Sequence, residues 1–341
     1  MKANVLAKAQ ILSTGVYLPP QIVTSDYLLE EIDSERQYGI PLDYLSKEMG
    51  IIERRVSDHG TLPSELAIKA AQEAMGRCPD LNPDDIDAVI FCGIERDHPE
   101  PATAHVIQHA LGLKANYVFD VSNACFGFLD GLRIASVYIT AGLIKQALVV
   151  TGEVSSTLLW EFTRQLKRGM SVEDARLRIG ALTVGDAGGA MLLGGSYGYD
   201  CSGFEVFNHQ VDSAHVEKCV YKIKKDGSME GQMEMAKLTA ANLRMQRRMF
   251  AETLQQTGWS EFDWLLTHQI GNRYFEKLEK ITGISPDRMI KTFDKLGNIT
   301  TATLPVGYDR LLNSAKVAKG SRIVGCFAGS GQTAGQFGYT S

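Results

Sequence analysis

The sequence predicts an α/β protein assembled from two similar halves, and two observations carry that prediction. Strand-like runs alternate with runs of helical period along the whole chain. The order of those runs then repeats at a near-constant interval, as an internal duplication would leave it. Asp87 in one strand matches Asp263 in another, 176 residues on, and the helix-ending Gly142 matches Gly320, 178 residues on. With 341 residues, 44% of them hydrophobic and 22% charged, the chain can bury a large core in two units of ordinary size.

In the first series, Pro63-Ser64-Glu65 introduces a helix over 66–75, and the apolar run over 86–92 is a core strand. A helix over 102–111 leads to the strand Tyr117-Val118-Phe119-Asp120-Val121, and apolar spacings of three and four set a buried helix over 126–141. Another core strand covers 147–152, and the run over 182–195, with Gly185, Gly188 and Gly189, reads as a strand where backbones pack closely. The second series comprises a helix over 238–257, a strand over 262–267, helices over 272–282 and 305–318, and a strand over 322–327. The expected division is an N-terminal half, residues 1–196, and a C-terminal half, residues 197–341. The join is the Gly-, Ser- and Asp-rich stretch over 195–230, and the charged, amphipathic segment 155–180 is a helical insertion in the first half.

Composition closes off several functions. A net charge of −5 offers no basic field for nucleic acid, and the Lys and Arg residues are scattered. No apolar run reaches the roughly eighteen residues a membrane span needs. Met1-Lys2-Ala3-Asn4 does not open a signal peptide, so a cytoplasmic location is expected. The six cysteines, at 78, 92, 125, 201, 219 and 326, form no C-x-x-C pair. Common structural zinc spacings and a disulfide framework are both disfavoured, and no metal or other cofactor is expected.

The chemistry concentrates on one cysteine. Val121-Ser122-Asn123-Ala124-Cys125-Phe126-Gly127-Phe128 places Cys125 at a strand-to-helix turn, where unpaired N–H groups and the positive end of the helix dipole favour a thiolate. His268 follows a strand directly, at the end where open α/β sheets place their sites. Under the duplication Cys125 maps near Asn298, so the two halves would bring Cys125, His268 and Asn298 to one cleft. Taken singly, a core cysteine, a satisfied histidine and a turn asparagine are ordinary alternatives.

Three motifs in order resemble the β-ketoacyl-acyl-carrier-protein synthase III family of thiolase-like condensing enzymes. They are Asn123-Ala124-Cys125-Phe126-Gly127-Phe128, His268-Gln269-x-x-Asn272-Arg273 and Gly297-Asn298-x-Thr300. The N-terminal Gly50-Ile51-x-x-Arg54 and the closing Phe327-Ala328-Gly329-Ser330-Gly331 extend the resemblance over nearly the whole chain. It implies a five-layered α/β/α/β/α fold, a homodimer, and acyl transfer to Cys125 followed by carbon–carbon bond formation. His268 and Asn298 would donate to an enolate oxygen, and the backbone N–H groups of Cys125 and Gly329 would form an oxyanion hole. Arg273 and Tyr44 would meet coenzyme A, and the partners would be acyl thioesters on coenzyme A or acyl carrier protein.

One position departs from the fatty-acid-initiating members. In Arg96-Asp97-His98-Pro99-Glu100-Pro101 the residue before the second proline is Glu100, where those members carry a hydrophobic residue. This resembles the olefin- and pyrone-forming branch, whose members join two acyl thioesters without losing carbon dioxide. The resemblance makes Glu100 the general base that removes an α-proton. A decarboxylative enzyme using a malonyl extender is the alternative, with a non-catalytic subunit of a condensing heterodimer behind it. Two rivals are weaker: a dinucleotide site at Gly329-Ser330-Gly331-Gln332-Thr333-Ala334, and a metallohydrolase built on His105, His109 and Asp97.

Overall fold

The computed structural model of the protein describes residues 8–196, 202–314 and 317–341. The expected join therefore lies partly outside the described residues, as does Cys201. In chain order the elements are β1 (Lys8–Tyr17), β2 (Gln21–Thr24), α1 (Ser25–Glu31), α2 (Ser34–Tyr38), β3 (Glu53–Val56), α3 (Pro63–Gly76), β4 (Ile86–Cys92), α4 (Thr103–Leu111), β5 (Tyr117–Val121), α5 (Gly127–Thr140), β6 (Gln146–Glu153), α6 (Ser156–Lys167) and α7 (Val172–Arg178). They continue as β7 (Ala187–Ser196), β8 (Gly203–Val211), β9 (Cys219–Ile223), β10 (Met229–Met233), α8 (Met235–Thr257), β11 (Trp264–Thr267), α9 (Asn272–Thr282), α10 (Phe293–Leu296), α11 (Thr303–Asn313), β12 (Arg322–Gly329) and β13 (Thr333–Thr340).

Two sheets form the frame. One has the order β1-β7-β6-β4-β5, the other β11-β12-β13-β8. Strands β4, β5 and β6 run parallel, with Cys92 beside Val121 and Phe91 beside Val150, so β4 and β5 end level while β6 runs on to Glu153. Between the sheets lie α5 and α11. Their inner faces share one buried cluster with both sheets, through Ile90, Leu132, Leu304, Tyr308, Ile323 and Phe337 among others. Helices α3 and α4 cover the outer face of the first sheet, with Ala70, Ala71 and Ile107 against Val89 and Leu148. The outer face of the second sheet is covered by α8 and α9, with Leu278 and Tyr274 against Leu265 and Val324. Five layers, α/β/α/β/α, result as expected.

Several boundaries differ from expectation. The strand expected over 182–195 begins only at Ala187, because 179–183 coil into a 3-10 turn that closes the helical insertion. The expected helix over 305–318 ends at Asn313. The stretch read as a join holds an edge strand, β8, and a separate hairpin of β9 and β10. Helix α8 opens earlier than expected, at Met235.

Candidate active site

Cys125 sits in the short turn between β5 and α5. Ala124 before it takes a left-handed φ of 46°, and the turn closes through the Phe126 N–H to Asn123 O and the Gly127 N–H to Ala124 O, at 3.1 and 3.0 Å. The sulfur is thus held one residue ahead of the Phe126 N-cap of α5. Gly329, at the end of β12, lies against this turn so closely that a Cβ there would come 2.9 Å from Phe126 Cβ and 3.1 Å from its backbone nitrogen. The two backbone N–H groups expected to hold an oxyanion are therefore on abutting segments.

His268 and Asn298 reach the same cavity from the second half. The His268 N–H extends the pairing of β11 with β12 by donating to Cys326 O at 2.9 Å, and the ring is buried. Burial lowers its pKa to about 4, so the imidazole is neutral near pH 7. Its Nδ1 has no protein partner among the described residues. Asn298 is fixed on both sides: its N–H donates to Thr183 O at 2.8 Å, and its carbonyl accepts from the Gly185 N–H at 3.2 Å. The side-chain oxygen accepts from the Thr300 N–H at 3.1 Å. That bond assigns the amide orientation and leaves the Asn298 NH2 as a free donor. Gly297 takes a φ of 64°, and a Cβ on it would meet Thr183 O at 2.4 Å, so this turn needs glycine.

These residues line one cavity of about 640 Å³ with Gly329 and Cys125. Its remaining wall is largely apolar, from Leu158 of α6, Val184, Tyr221 and Met229 of the β9–β10 hairpin, Met233 and Leu238. Neutral donors at a thiol and an apolar chamber behind them suit a carbonyl compound with a long hydrocarbon tail. The cysteine departs from expectation in one respect. Burial, followed by the nearby Glu153 carboxyl and the Cys219 thiol, pushes its pKa well up, so the helix N-terminus does not leave a thiolate in the resting site.

Other expected residues fall outside the cavity. Glu100 is exposed on the loop between β4 and α4. Arg273 is exposed and pairs with Glu48 at 3.1 Å, and Glu48 belongs to the π-helical turn Tyr44–Glu48. Tyr44 lines a second, shallower pocket with Arg176 and Lys237. Arg273 and Tyr44 therefore share one rim through that turn. Arg54 of the N-terminal motif is fully buried and structural, donating to Leu182 O at 2.8 Å, Ser25 Oγ at 3.0 Å and Val23 O at 3.2 Å.

Both rival sites dissolve on placement. Gly329 to Ala334 spans a turn between antiparallel strands, with no helix after it to receive a phosphate. His105 and His109 lie on the exposed face of α4, and Asp97 instead accepts from the Ser64 N–H at 3.0 Å. Sequence reasoning missed Glu95, a cavity carboxyl, and the β9–β10 hairpin. The hairpin carried a readable signal in Asp226-Gly227 between two apolar-alternating runs.

Comparison with known proteins gives a consistent result. The family description 3-oxoacyl-[acyl-carrier-protein] synthase III matches residues 119–213, and its C-terminal counterpart matches 252–337, together a little over half the chain. The β-ketoacyl-[acyl-carrier-protein] synthase III of Clostridioides difficile is 28% identical over 344 residues, covering 96% of this chain and 97% of the relative. That of Methylococcus capsulatus is 26% identical, covering 93% and 94%. Among solved structures, Xanthomonas campestris OleA superposes with a TM-score of 0.91 at 24% identity, over 100% of this chain and 99% of that one. An OleA variant with bound lauric acid and lauroyl-CoA gives 0.90 at 24% identity, over 98% and 100%.

Proposed function

Because the chain belongs to the 3-oxoacyl-[acyl-carrier-protein] synthase III family, we propose that it is an acyltransferase joining two acyl thioesters through an acyl-Cys125 intermediate. The observation that carries this reading is the convergence of Cys125, His268 and Asn298, from both halves, on one apolar cavity. Cys125 attacks the first thioester, and the N–H groups of Cys125 and Gly329 hold the tetrahedral oxyanion. The second thioester then forms an enolate, whose oxygen accepts from neutral His268 and the free Asn298 NH2. Its α-carbon attacks the acyl-sulfur carbonyl and releases Cys125. The site residues, coenzyme A contacts by Arg273 and Tyr44 included, are part of the proposal. So are the division at 196–197, the homodimer and the cytoplasmic setting. No helix among the described residues is long and apolar enough to cross a membrane.

A non-decarboxylative route needs a base for the α-proton, and Glu100 is proposed for it, acting in the cavity of a second copy. Support comes from its tether. Asp120 on the edge strand β5 accepts from the Thr103 and Ala104 N–H groups at 2.9 Å each, at the start of α4, and pairs with Arg96 at 3.9 Å. Glu100 thus stands beside the unpaired edge of the first sheet, where a second copy would add its own edge strand. The alternative is decarboxylation of a malonyl extender, and one experiment separates the two. Lauroyl-CoA supplied alone should yield a β-keto product with release of coenzyme A, and the acyl adduct should vanish in Cys125→Ala. Product appearing only with a malonyl donor would overturn the non-decarboxylative route. An adduct surviving Cys125→Ala would overturn the nucleophile.

A further inference from the structure

Strands β4 and β5 end level, and each continues into the cavity wall. Four residues past Val121 comes Cys125, and three past its neighbour Cys92 comes Glu95. Adjacent strands lie about 4.8 Å apart, so the two segments leave the sheet side by side. Glu95 is also rigidly placed. The Ile94 N–H before it donates to Glu153 Oε1 at 3.2 Å, and a Cβ on Gly93 would stand 2.6 Å from the Phe91 ring. Among the described residues, Glu95 is the one carboxylate lining this cavity, and no hydrogen bond or ion pair to its side chain is formed there.

A free carboxylate in a mostly apolar chamber has a cost that needs a reason. The Cys125 thiol supplies one. Its burial holds the proton on sulfur, and the neighbouring His268 is a weak base because burial lowers its own pKa to about 4. We propose that Glu95 is the proton acceptor for the Cys125 thiol during acyl transfer, working through one cavity water. The assignment rests on the acyl-Cys125 reading and leaves the α-proton to Glu100. As the Sγ–carbonyl bond forms, the thiol proton passes to Glu95. As the bond from carbonyl carbon to coenzyme A sulfur breaks, that proton moves to the departing sulfur, which leaves as the thiol. Glu95 is then ionised again, and no other reactant is consumed.

The surroundings tune Glu95 for this exchange. Desolvation, followed by the Asp186 charge, raises its pKa to about 7, so near neutral pH it can both take up a proton and give it back. Glu153 at the end of β6 is the other carboxyl coupled to it, while Arg96 on its own loop turns to Asp120. Cys125, His268, Cys219 and Lys222 are the remaining titratable groups that face it across the cavity, besides Tyr221 and Tyr274.

The test isolates acylation. Wild type, Glu95→Gln and Glu95→Asp are mixed with lauroyl-CoA, and the acyl adduct is followed by intact mass after rapid quenching, from about pH 6 to pH 9. Wild-type acylation should rise as pH climbs through about 7, since the ionised carboxylate is the acceptor. Glu95→Gln should be roughly 100-fold slower at pH 7 and lose that rise, with Glu95→Asp restoring part of both. Wild-type rates in Glu95→Gln, or slowing with the pH profile unchanged, would overturn the assignment and leave the condensing function standing. No adduct in the wild type would instead remove the acyl-enzyme reading, and the Glu95 assignment with it.

Discussion

Glu153 ties three parts of the site together from within the first sheet. Its Oε1 accepts from the Ile94 N–H at 3.2 Å and from the Thr301 hydroxyl, three residues past Asn298, and Thr301 in turn shares a 2.5 Å hydrogen bond with Thr151. Its Oε2 has no partner among the described residues. Burial raises the Glu153 pKa to about 8, against an unfolded value of 4.5, so folding takes up a proton between those limits. That stabilisation is fully present below about pH 4.5 and is lost as pH rises through 8. His268 has the opposite sign: with its pKa lowered from 6.5 to about 4, its share is present above 6.5 and lost as pH falls through 4. Glu153→Gln keeps both accepted bonds and removes the titration. Its melting temperature should therefore fall less than that of wild type between pH 5 and pH 8, a difference worth up to about 4 kcal/mol. Equal slopes in the two proteins would refute a buried, protonated Glu153. At this scale the sequence was most legible where a reactive residue ends a strand. Cys125 and His268 each follow an apolar run, and both stand just past a strand end, whereas Glu95 carries no such signal beside Glu100, five residues on, which sits in the motif. Which of two nearby carboxylates lines the cavity is set by how the chain leaves β4, where Gly93 packs so closely on the Phe91 ring that no Cβ fits.

Helix α3 shows how closely an element can be seated by its smallest residues. Its inner face is Ala67, Ala70, Ala71 and Ala74, all fully buried. The strands beneath answer with glycine: a Cβ on Gly15 would lie 2.0 Å from Ala70 O, and one on Gly188 would lie 2.2 Å from Leu66 O. Neither contact can be relieved by turning a side chain, because the obstacle is backbone. Gly15→Ala should push α3 off β1 and cost about 1–3 kcal/mol, read as a lower melting temperature. Gly76→Ala, where a Cβ meets nothing within 4 Å, should cost less. An unchanged melting temperature in Gly15→Ala would show that α3 is not seated this closely. Elements of this kind were legible because burial enforces period: the strand over 86–92 and the helix leaving Cys125 both appear. The β9–β10 hairpin is legible only at its Asp226-Gly227 turn, because its strands pair only with each other and Gly231 alone among their residues is buried, so no burial period marks them.

At the scale of the whole molecule, one chain supplies Cys125, His268, Asn298 and Glu95 to its own cavity but presents Glu100 outward. The first sheet ends on β5, whose Tyr117 is 38% exposed, and Val137 of α5 beside it is 58% exposed. An apolar, unpaired edge strand next to an exposed apolar helix face is the kind of surface that a two-fold related copy covers. If Glu100 serves the cavity across that contact, the two defects Cys125→Ala and Glu100→Gln complement each other. Each homodimer is inactive in condensation: one lacks the nucleophile in both cavities, the other lacks the base in both. In a mixed dimer, the cavity that keeps Cys125 receives Glu100 from the Cys125→Ala chain, and one of the two cavities works. Random pairing of equal amounts makes half of the dimers mixed, so co-expressed chains should recover about a quarter of wild-type condensation per chain. The acylated fraction, read by intact mass, should be confined to chains that keep Cys125. A base acting within its own chain gives the opposite result, since neither cavity of a mixed dimer would then hold both groups. Co-expressed chains that form mixed dimers yet make no β-keto product would therefore return Glu100 to the surface and require the α-proton to leave by another group.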